Sequence, residues 1–229
     1  MDTVSVATRL GEVVRRVEEA ARRSGRDRED VKIVAIGKGC PPAVLEEAIA
    51  AGHRVFGENR GQELVSKAGR LPSDLEWHFV GPLQTNKVRI VRPRVALLHS
   101  FDRDRLVKPW LRGAGRPPPT LLQVNIGREP QKSGVQPELV VETFERWEAE
   151  GVPLDGVMAI PPMGARPEDS RPYFVRMREI GDELAARLDR PMALSMGMTD
   201  DFEVAIEEGS TIVRVGRAIF GHGAIAVQK

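Results

Sequence analysis

Cysteine occurs once in the 229 residues, at Cys40, so no disulfide can form within the chain. The expected compartment is therefore a reducing one, the cytoplasm. Charge of one sign is lacking too. Lys and Arg number 34 and Asp and Glu 33, for a formal net charge of +1. That balance gives no bulk field for nucleic acid or an anionic membrane, and neither is expected as a partner. No apolar run approaches the length of a membrane span. The opening stretch, MDTVSVATRLGEVVRR, carries charges throughout and has no apolar core of the signal-peptide kind. His53, His99 and His222 show no metal-ligand spacing, so no metal is expected. Low-complexity linkers are missing, and the best breaker, GAGRPPPT at 113–120, lies inside a repeating pattern.

What is present is material for a core, 41% hydrophobic, arranged as strand and helix in alternation. Residues 4–23 come first, with Leu10, Val13, Val14, Val17 and Ala21 at helical spacing and Ser24-Gly25 as the stop. Short apolar runs then recur at 32–37, 53–57, 76–81, 95–100, 120–126, 154–160, 191–196 and 211–216. Between them lie amphipathic segments such as 42–52, 137–151 and 171–189. Gly52, Gly151 and Gly209 stand where left-handed caps should close helices. Alternation of this kind demands parallel pairing, since antiparallel neighbours are joined by hairpins. Eight units in one chain of this length predict an α/β fold, a single closed (β/α)8 barrel. The competitor is an open doubly wound sheet, but no G-x-G-x-x-G follows the first strand. The predicted layout is an N-terminal helix and lead-in over 1–30, barrel over 31–221 and tail over 222–229. The last helix is short, and the N-terminal one is expected to cover the bottom or side of the barrel.

Barrels of this type carry their sites at the C-terminal strand ends. Those ends are Lys38, Glu58 with Asn59, His78, Ser100, Asn125, Met158, Ser195, and Arg214 with Gly216. Lys38 is the most pointed of them, an amine between two glycines after the run VKIVAIG. Partial desolvation at a barrel mouth would leave it nucleophilic and able to bond an aldehyde. The plainer alternative is a lysine that snorkels to solvent or pairs with Glu58. The eighth run, GSTIVRVGRAIFG, places Gly216 two residues after Arg214 at the start of a helical turn, a setting suited to an anion. SMGMTDD at 195–201 adds a hydroxyl and Gly197 after the seventh strand. A phosphate cradle opposite a reactive lysine suggests a phosphorylated aldehyde.

Seven segments, in order, resemble the pyridoxal phosphate homeostasis proteins of the YggS/PROSC type, relatives of the N-terminal barrel of alanine racemase. They are VAIGK (34–38), FGEN (56–59), EWHFVGPLQTNK (76–87), QVNI with KSG (123–126, 132–134), GVMAIPP (156–162), SMGMTDD (195–201) and GSTIVRVGRAIFG (209–221). The resemblance implies a fold-type III barrel and pyridoxal 5′-phosphate (PLP) as cofactor. It implies Lys38 as the internal aldimine and Arg214 facing the pyridine nitrogen. It places phosphate contacts at Ser195 and Met196, and at the backbone of Gly216 and Arg217. A monomer is the family expectation.

The chain departs from the family's usual S-K-T-K-P. Gly37 and Gly39 replace hydroxyl residues, and Cys40 stands for a second basic residue. Arg217 replaces a small residue and offers its own guanidinium to phosphate, while Arg60 reads as surface variation. Among the other strand-end residues, Asn59 is read chiefly as a helix cap and also as a pocket residue. His78 is read as a core histidine or a pocket lining, with Trp77 turned toward the helices. Asn125 is read as a pocket residue. Asp200 and Asp201 read as charges at a helix N-terminus.

An arginine at the ring nitrogen disfavours the pyridinium and weakens PLP as an electron sink. The expected function is thus a PLP-binding protein of intracellular PLP homeostasis, a carrier without efficient catalysis. Its ligands would be PLP and amino acids, and its partners transient PLP-acceptor enzymes. The alternatives are an amino-acid racemase or related PLP enzyme, and a lysine-dependent aldolase acting on a sugar phosphate.

Overall fold

The computed structural model describes residues 4–221. The chain opens with α1 (Val6–Arg23). Ser5 caps it, its Oγ accepting the Thr8 N–H at 3.1 Å, and Val6, Leu10, Val13, Val17 and Ala21 form its buried stripe. Gly25, at φ +69°, turns the chain away as expected. The repeating units follow: β1 (Lys32–Ile36), α2 (Pro42–Ala50), β2 (Val55–Glu58), α3 (Gly61–Ala68), β3 (Glu76–Phe79), α4 (Val88–Val91), β4 (Leu97–Phe101) and α5 (Val107–Leu111). Next come β5 (Thr120–Val124), α6 (Val140–Ala149), β6 (Leu154–Ala159), α7 (Arg171–Leu188), β7 (Ala193–Met198), α8 (Phe202–Glu207), β8 (Ile212–Val215) and α9 (Arg217–Phe220). Gly52, Gly151 and Gly209 all sit at positive φ (91°, 96° and 94°), the caps their positions called for. The predicted tail, 222–229, lies outside the described residues.

All eight strands pair in parallel in chain order, and β8 closes back onto β1. Val34 lies opposite Arg214 and Ala35 opposite Val215. This closed barrel is the predicted fold; the open-sheet alternative is excluded. Strand side chains alternate between two cores. Inside the barrel, Val34, Leu97, Leu121, Met158 and Ile212 pack together. Outside, residues such as Val213, Phe56, Trp77 and Leu122 pack under the helices. Trp77 faces the helices as expected.

With only four residues, α9 cannot cover the side of the barrel after β8. α1 fills that position, packing on α8, α9 and α2. Arg9 fixes it there, its Nε–H donating to the Ile219 carbonyl at 2.8 Å. Of the two expected locations, bottom or side, it takes the side.

Candidate functional site

The inward faces of the strands set the site. On β1, Val34 and Ile36 pack in the inner core, and Lys38 follows two residues on, beyond the strand end. It rides a turn in which the Cys40 N–H donates to the Gly37 carbonyl at 3.0 Å. Gly39 is the third residue of that turn at φ +71°, a position that favours glycine.

Two side chains of α3 hold the turn, Lys67 buried and Glu63 partly so. Lys67 Nζ donates to the Gly37 carbonyl at 2.7 Å, and Glu63 Oε2 accepts the Gly39 N–H at 3.0 Å. Lys67 also reaches Glu58 Oε1 at 2.5 Å. Burial pushes the Glu58 carboxyl up to about 7, against the pull of the Lys67 charge. A Cβ on Gly37 would lie 3.0 Å from Glu58 Oε1 and 3.1 Å from Leu45 Cδ2. Gly37 thus leaves room for the Glu58 carboxylate, and Lys67 and Glu63 brace the turn through its backbone.

The turn corrects two expectations for Lys38. It is exposed, so partial desolvation by apolar neighbours does not occur. Nor does it pair with Glu58, whose partner is Lys67. Among the described residues the amine has no partner at the barrel mouth.

Arg214 is the other pole. It lies on β8, the strand beside β1, and is 4% exposed. Its Nη1 donates to the Ser195 carbonyl at 2.8 Å and to Ser195 Oγ at 2.6 Å, and its Nη2 donates to the Ala159 carbonyl at 2.9 Å. No carboxylate forms an ion pair with it among the described residues. Burial pushes it down to about 10, against the pull of the Asp201 charge, which acts on it without a bond. A buried cation with spare N–H groups and no anion is a costly arrangement without a ligand.

Ser195 and His78 lie deeper than their expected roles require. The Ser195 hydroxyl is buried inside the barrel, 2.8 Å from His99 Nδ1 as well as beside Arg214. It is committed there, which corrects its assignment to phosphate. Met196 is fully buried in the outer core, so only its backbone faces that task. His78 is also fully buried, with Nδ1 2.8 Å from His99 Nε2 and Nε2 2.7 Å from Glu76 Oε1. It belongs to the barrel interior and not to the rim.

The turns after β7 and β8 face each other. Gly216 caps α9, and the backbone hydrogen bonds of the described residues do not use the N–H groups of Gly216 or Arg217. The Arg217 guanidinium pairs with Asp200 across the two turns, which corrects the expectation that it is free for phosphate. Asp201 organises the first turn, accepting the Met198 N–H at 2.7 Å and the Ser170 hydroxyl at 3.0 Å.

Asn59 caps no helix; α3 begins at Gly61, and no side chain caps it. The Asn59 Oδ1 is buried without a partner, a group that a ligand at the rim would satisfy. Asn125 is spoken for: Nδ2 donates to the Glu129 carbonyl at 2.9 Å, and Oδ1 accepts the Glu129 N–H at 3.1 Å. It shapes the 125–132 loop and lines a small cavity of about 200 Å³ with Lys132 and Ile160. Cys40 is buried, and burial pushes its thiol up to about 11, which makes it a packing residue and not a reactive one. A cavity of about 650 Å³ runs between α4 and α5 beside Arg89 and Arg112, and none of the predicted site residues lines it.

Glu63, Lys67, His99 and Glu76 were missed by sequence reasoning. The Glu63/Lys67 spacing is a helical i,i+4 pair, and His99 shares the inward parity of Leu97. Both were visible signals.

Fold and site define a closed parallel barrel in which, among the described residues, an unpaired lysine amine follows one strand and a buried guanidinium with no carboxylate bonded to it stands on the next. No protein-family model matches the chain. A pyridoxal phosphate homeostasis protein of Aquifex aeolicus is 44% identical, across 95% of this chain and 98% of its own. Another of that name, from Pseudomonas aeruginosa, is 41% identical across 95% of each. PipY of Synechococcus elongatus, solved with PLP bound, superposes at a TM-score of 0.79 with 33% identity, across 95% of this chain and all of PipY. The chain belongs to the pyridoxal phosphate homeostasis protein family.

Proposed function

We propose that this protein binds PLP covalently through Lys38 and serves cytoplasmic PLP homeostasis as a carrier, without efficient catalysis. The observation that carries this reading is Arg214, a buried guanidinium with no carboxylate partner, on the strand beside the one that presents Lys38. Its spare N–H groups suit the lone pair of a pyridine nitrogen. The unpaired Asn59 Oδ1 and the unused N–H groups of Gly216 and Arg217 suit the polar ring and phosphate of the same ligand. When bound, PLP supplies an aldehyde for an amine and a ring that draws electrons.

The protein's residues restrain that chemistry. Arg214 can donate to the ring nitrogen but offers no carboxylate to stabilise a proton there, so the ring stays a weak electron sink. Lys38 is exposed, which gives competing amines access to the linkage and favours handing the cofactor on. A carrier acting as a monomer, with acceptor enzymes as transient partners, follows from such access.

The test is an absorbance spectrum of the protein mixed with PLP, before and after borohydride. A protein-bound band in the near ultraviolet or visible that reduction fixes irreversibly is expected. A spectrum equal to free PLP overturns the reading.

A further inference from the structure

The barrel interior contains a polar line where (β/α)8 cores are ordinarily filled by aliphatic side chains. It starts at the floor, where Lys32 Nζ lies 2.6 Å from Glu76 Oε1. It continues from Glu76 to His78 at 2.7 Å and from His78 to His99 at 2.8 Å. From His99 it reaches Ser195 at 2.8 Å, and from Ser195 it reaches Arg214 at 2.6 Å. His78, His99 and Ser195 are each 0–1% exposed, so water is not available to correct a mismatch.

The two ends determine the direction of every bond between them. Arg214 only donates and an ionised carboxylate only accepts. Glu76 therefore takes the Nε2–H of His78, leaving His78 Nδ1 as a lone pair. That lone pair takes the Nε2–H of His99, leaving His99 Nδ1 as a lone pair. His99 Nδ1 then takes the Ser195 hydroxyl proton, and the hydroxyl oxygen takes an N–H of Arg214. With both imidazoles neutral, this arrangement leaves no donor facing a donor and no lone pair facing a lone pair. Burial holds both imidazoles below their ordinary range, and Lys32 with His78 holds Glu76 down to about 2.

We propose that Glu76, His78, His99 and Ser195 form a one-way hydrogen-bond relay that fixes the guanidinium of Arg214 against the cofactor ring nitrogen, which makes them positioning residues for that contact. The inference rests on the PLP reading of Arg214. Four hydrogen bonds in series join Arg214 to the carboxylate of Glu76. Each polarises the next, so the cation is stabilised by a carboxylate it does not touch. Arg214 thereby keeps its charge and aim with no anion bonded to it, the Asp201 carboxylate acting on it only through space. An adjacent anion would compete with the ring nitrogen for its N–H groups.

The experiment has two arms. The first is side-chain ¹⁵N spectroscopy of the histidines in cofactor-free protein near pH 7. His78 and His99 should both be neutral with the proton on Nε2. An Nδ1–H tautomer or an imidazolium at either residue overturns the relay. The second compares affinity for PLP and for its 1-deaza analogue, which has C–H in place of the ring nitrogen. Ser195→Ala should lose roughly tenfold in PLP affinity, the scale of one charge-assisted hydrogen bond, and change little toward the analogue. Ser195→Thr, which keeps the hydroxyl, should restore PLP affinity. Equal loss for both ligands, or no rescue by threonine, reduces Ser195 to a packing role and overturns its positioning role. Arg214→Met is the separate control. If it too fails to discriminate the ligands, the ring-nitrogen reading falls and takes the positioning role with it, while the tautomers still report whether the relay exists.

Discussion

Lys67 Nζ donates to the carbonyl oxygen of Gly37 at 2.7 Å, so a buried ammonium on α3 grips the backbone one residue ahead of Lys38. The same ammonium bonds Oε1 of Glu58, which is fully buried and whose Oε2 has no partner among the described residues. Lys67→Met should therefore destabilise the protein by about 3–5 kcal/mol in urea unfolding, because one member of a buried pair is left alone. Adding Glu58→Gln should recover a good part of the loss. No recovery in the double variant would show that Lys67 acts only through its carbonyl bond.

The same carboxyl predicts a pH dependence. Its folded value, about 7, lies above the ordinary glutamate value of 4.5. The folded state thus binds the proton more tightly, and stability falls as pH rises from about 4.5 to about 7. Unfolding midpoints of the Glu58→Gln variant should show less of that fall. Parallel curves for the two proteins would assign the slope elsewhere.

Lys38 should be the modified residue after borohydride treatment of the PLP-loaded protein. Peptide mapping is expected to place the phosphopyridoxyl group there; label on Lys32, Lys67 or Lys132 instead would refute the assignment. Lys38→Ala should leave unfolding stability within about 0.5 kcal/mol, since the side chain is exposed and packs in no core.

Gly216→Val tests the phosphate side. A Cβ at this position would lie 3.3 Å from the Ile36 carbonyl oxygen, so branching beyond it pushes the turn off β1. PLP affinity should drop roughly 30- to 1,000-fold through lost phosphate contacts. Pyridoxal without phosphate should be nearly insensitive. A matching loss for both ligands would indicate a distorted barrel.

Racemisation needs a base on each face of the α-carbon. Lys38 supplies one amine, and the chain's only tyrosine, Tyr173, packs against the outer core. His78 is fully buried below the rim and already bonded at both ring nitrogens. In heavy water with L- and D-amino acids, α-proton exchange should stay well below about 1 s⁻¹, the lower end of working enzymes. Faster exchange would make the protein a catalyst.

The barrel was legible because strand and helix alternate and because inward parity is a local property. Counting by twos from Ile212 reaches Arg214 and Gly216, and from Val34 it reaches Lys38. What the residues did not reveal depends on who meets whom across the fold. Glu58 and Lys67 belong to different elements, and their bond exists only because α3 folds back over the end of β1. His99 and Ser195 are 96 positions apart on β4 and β7, strands that are not neighbours. Parity said that each points inward; only barrel closure makes them touch. At Gly37 and Gly39 the local sequence could not show what braces the turn, because Glu63 and Lys67 lie on another element, α3.

The seating of α1 also has a consequence in time. Arg9 bonds to Ile219, 210 positions later, and α1 packs on α8 and α9 at the opposite end of the chain. A ribosome releases α1 first and two of its three helix partners, α8 and α9, last. Throughout synthesis the apolar stripe of Val6, Leu10, Val13 and Val17 has no permanent seat, and β1 has no β8 to close against. Contacts of such long range form slowly and leave sticky surface exposed meanwhile. The helix that completes the ring is thus the first to need shelter in the cell, and the last to find it.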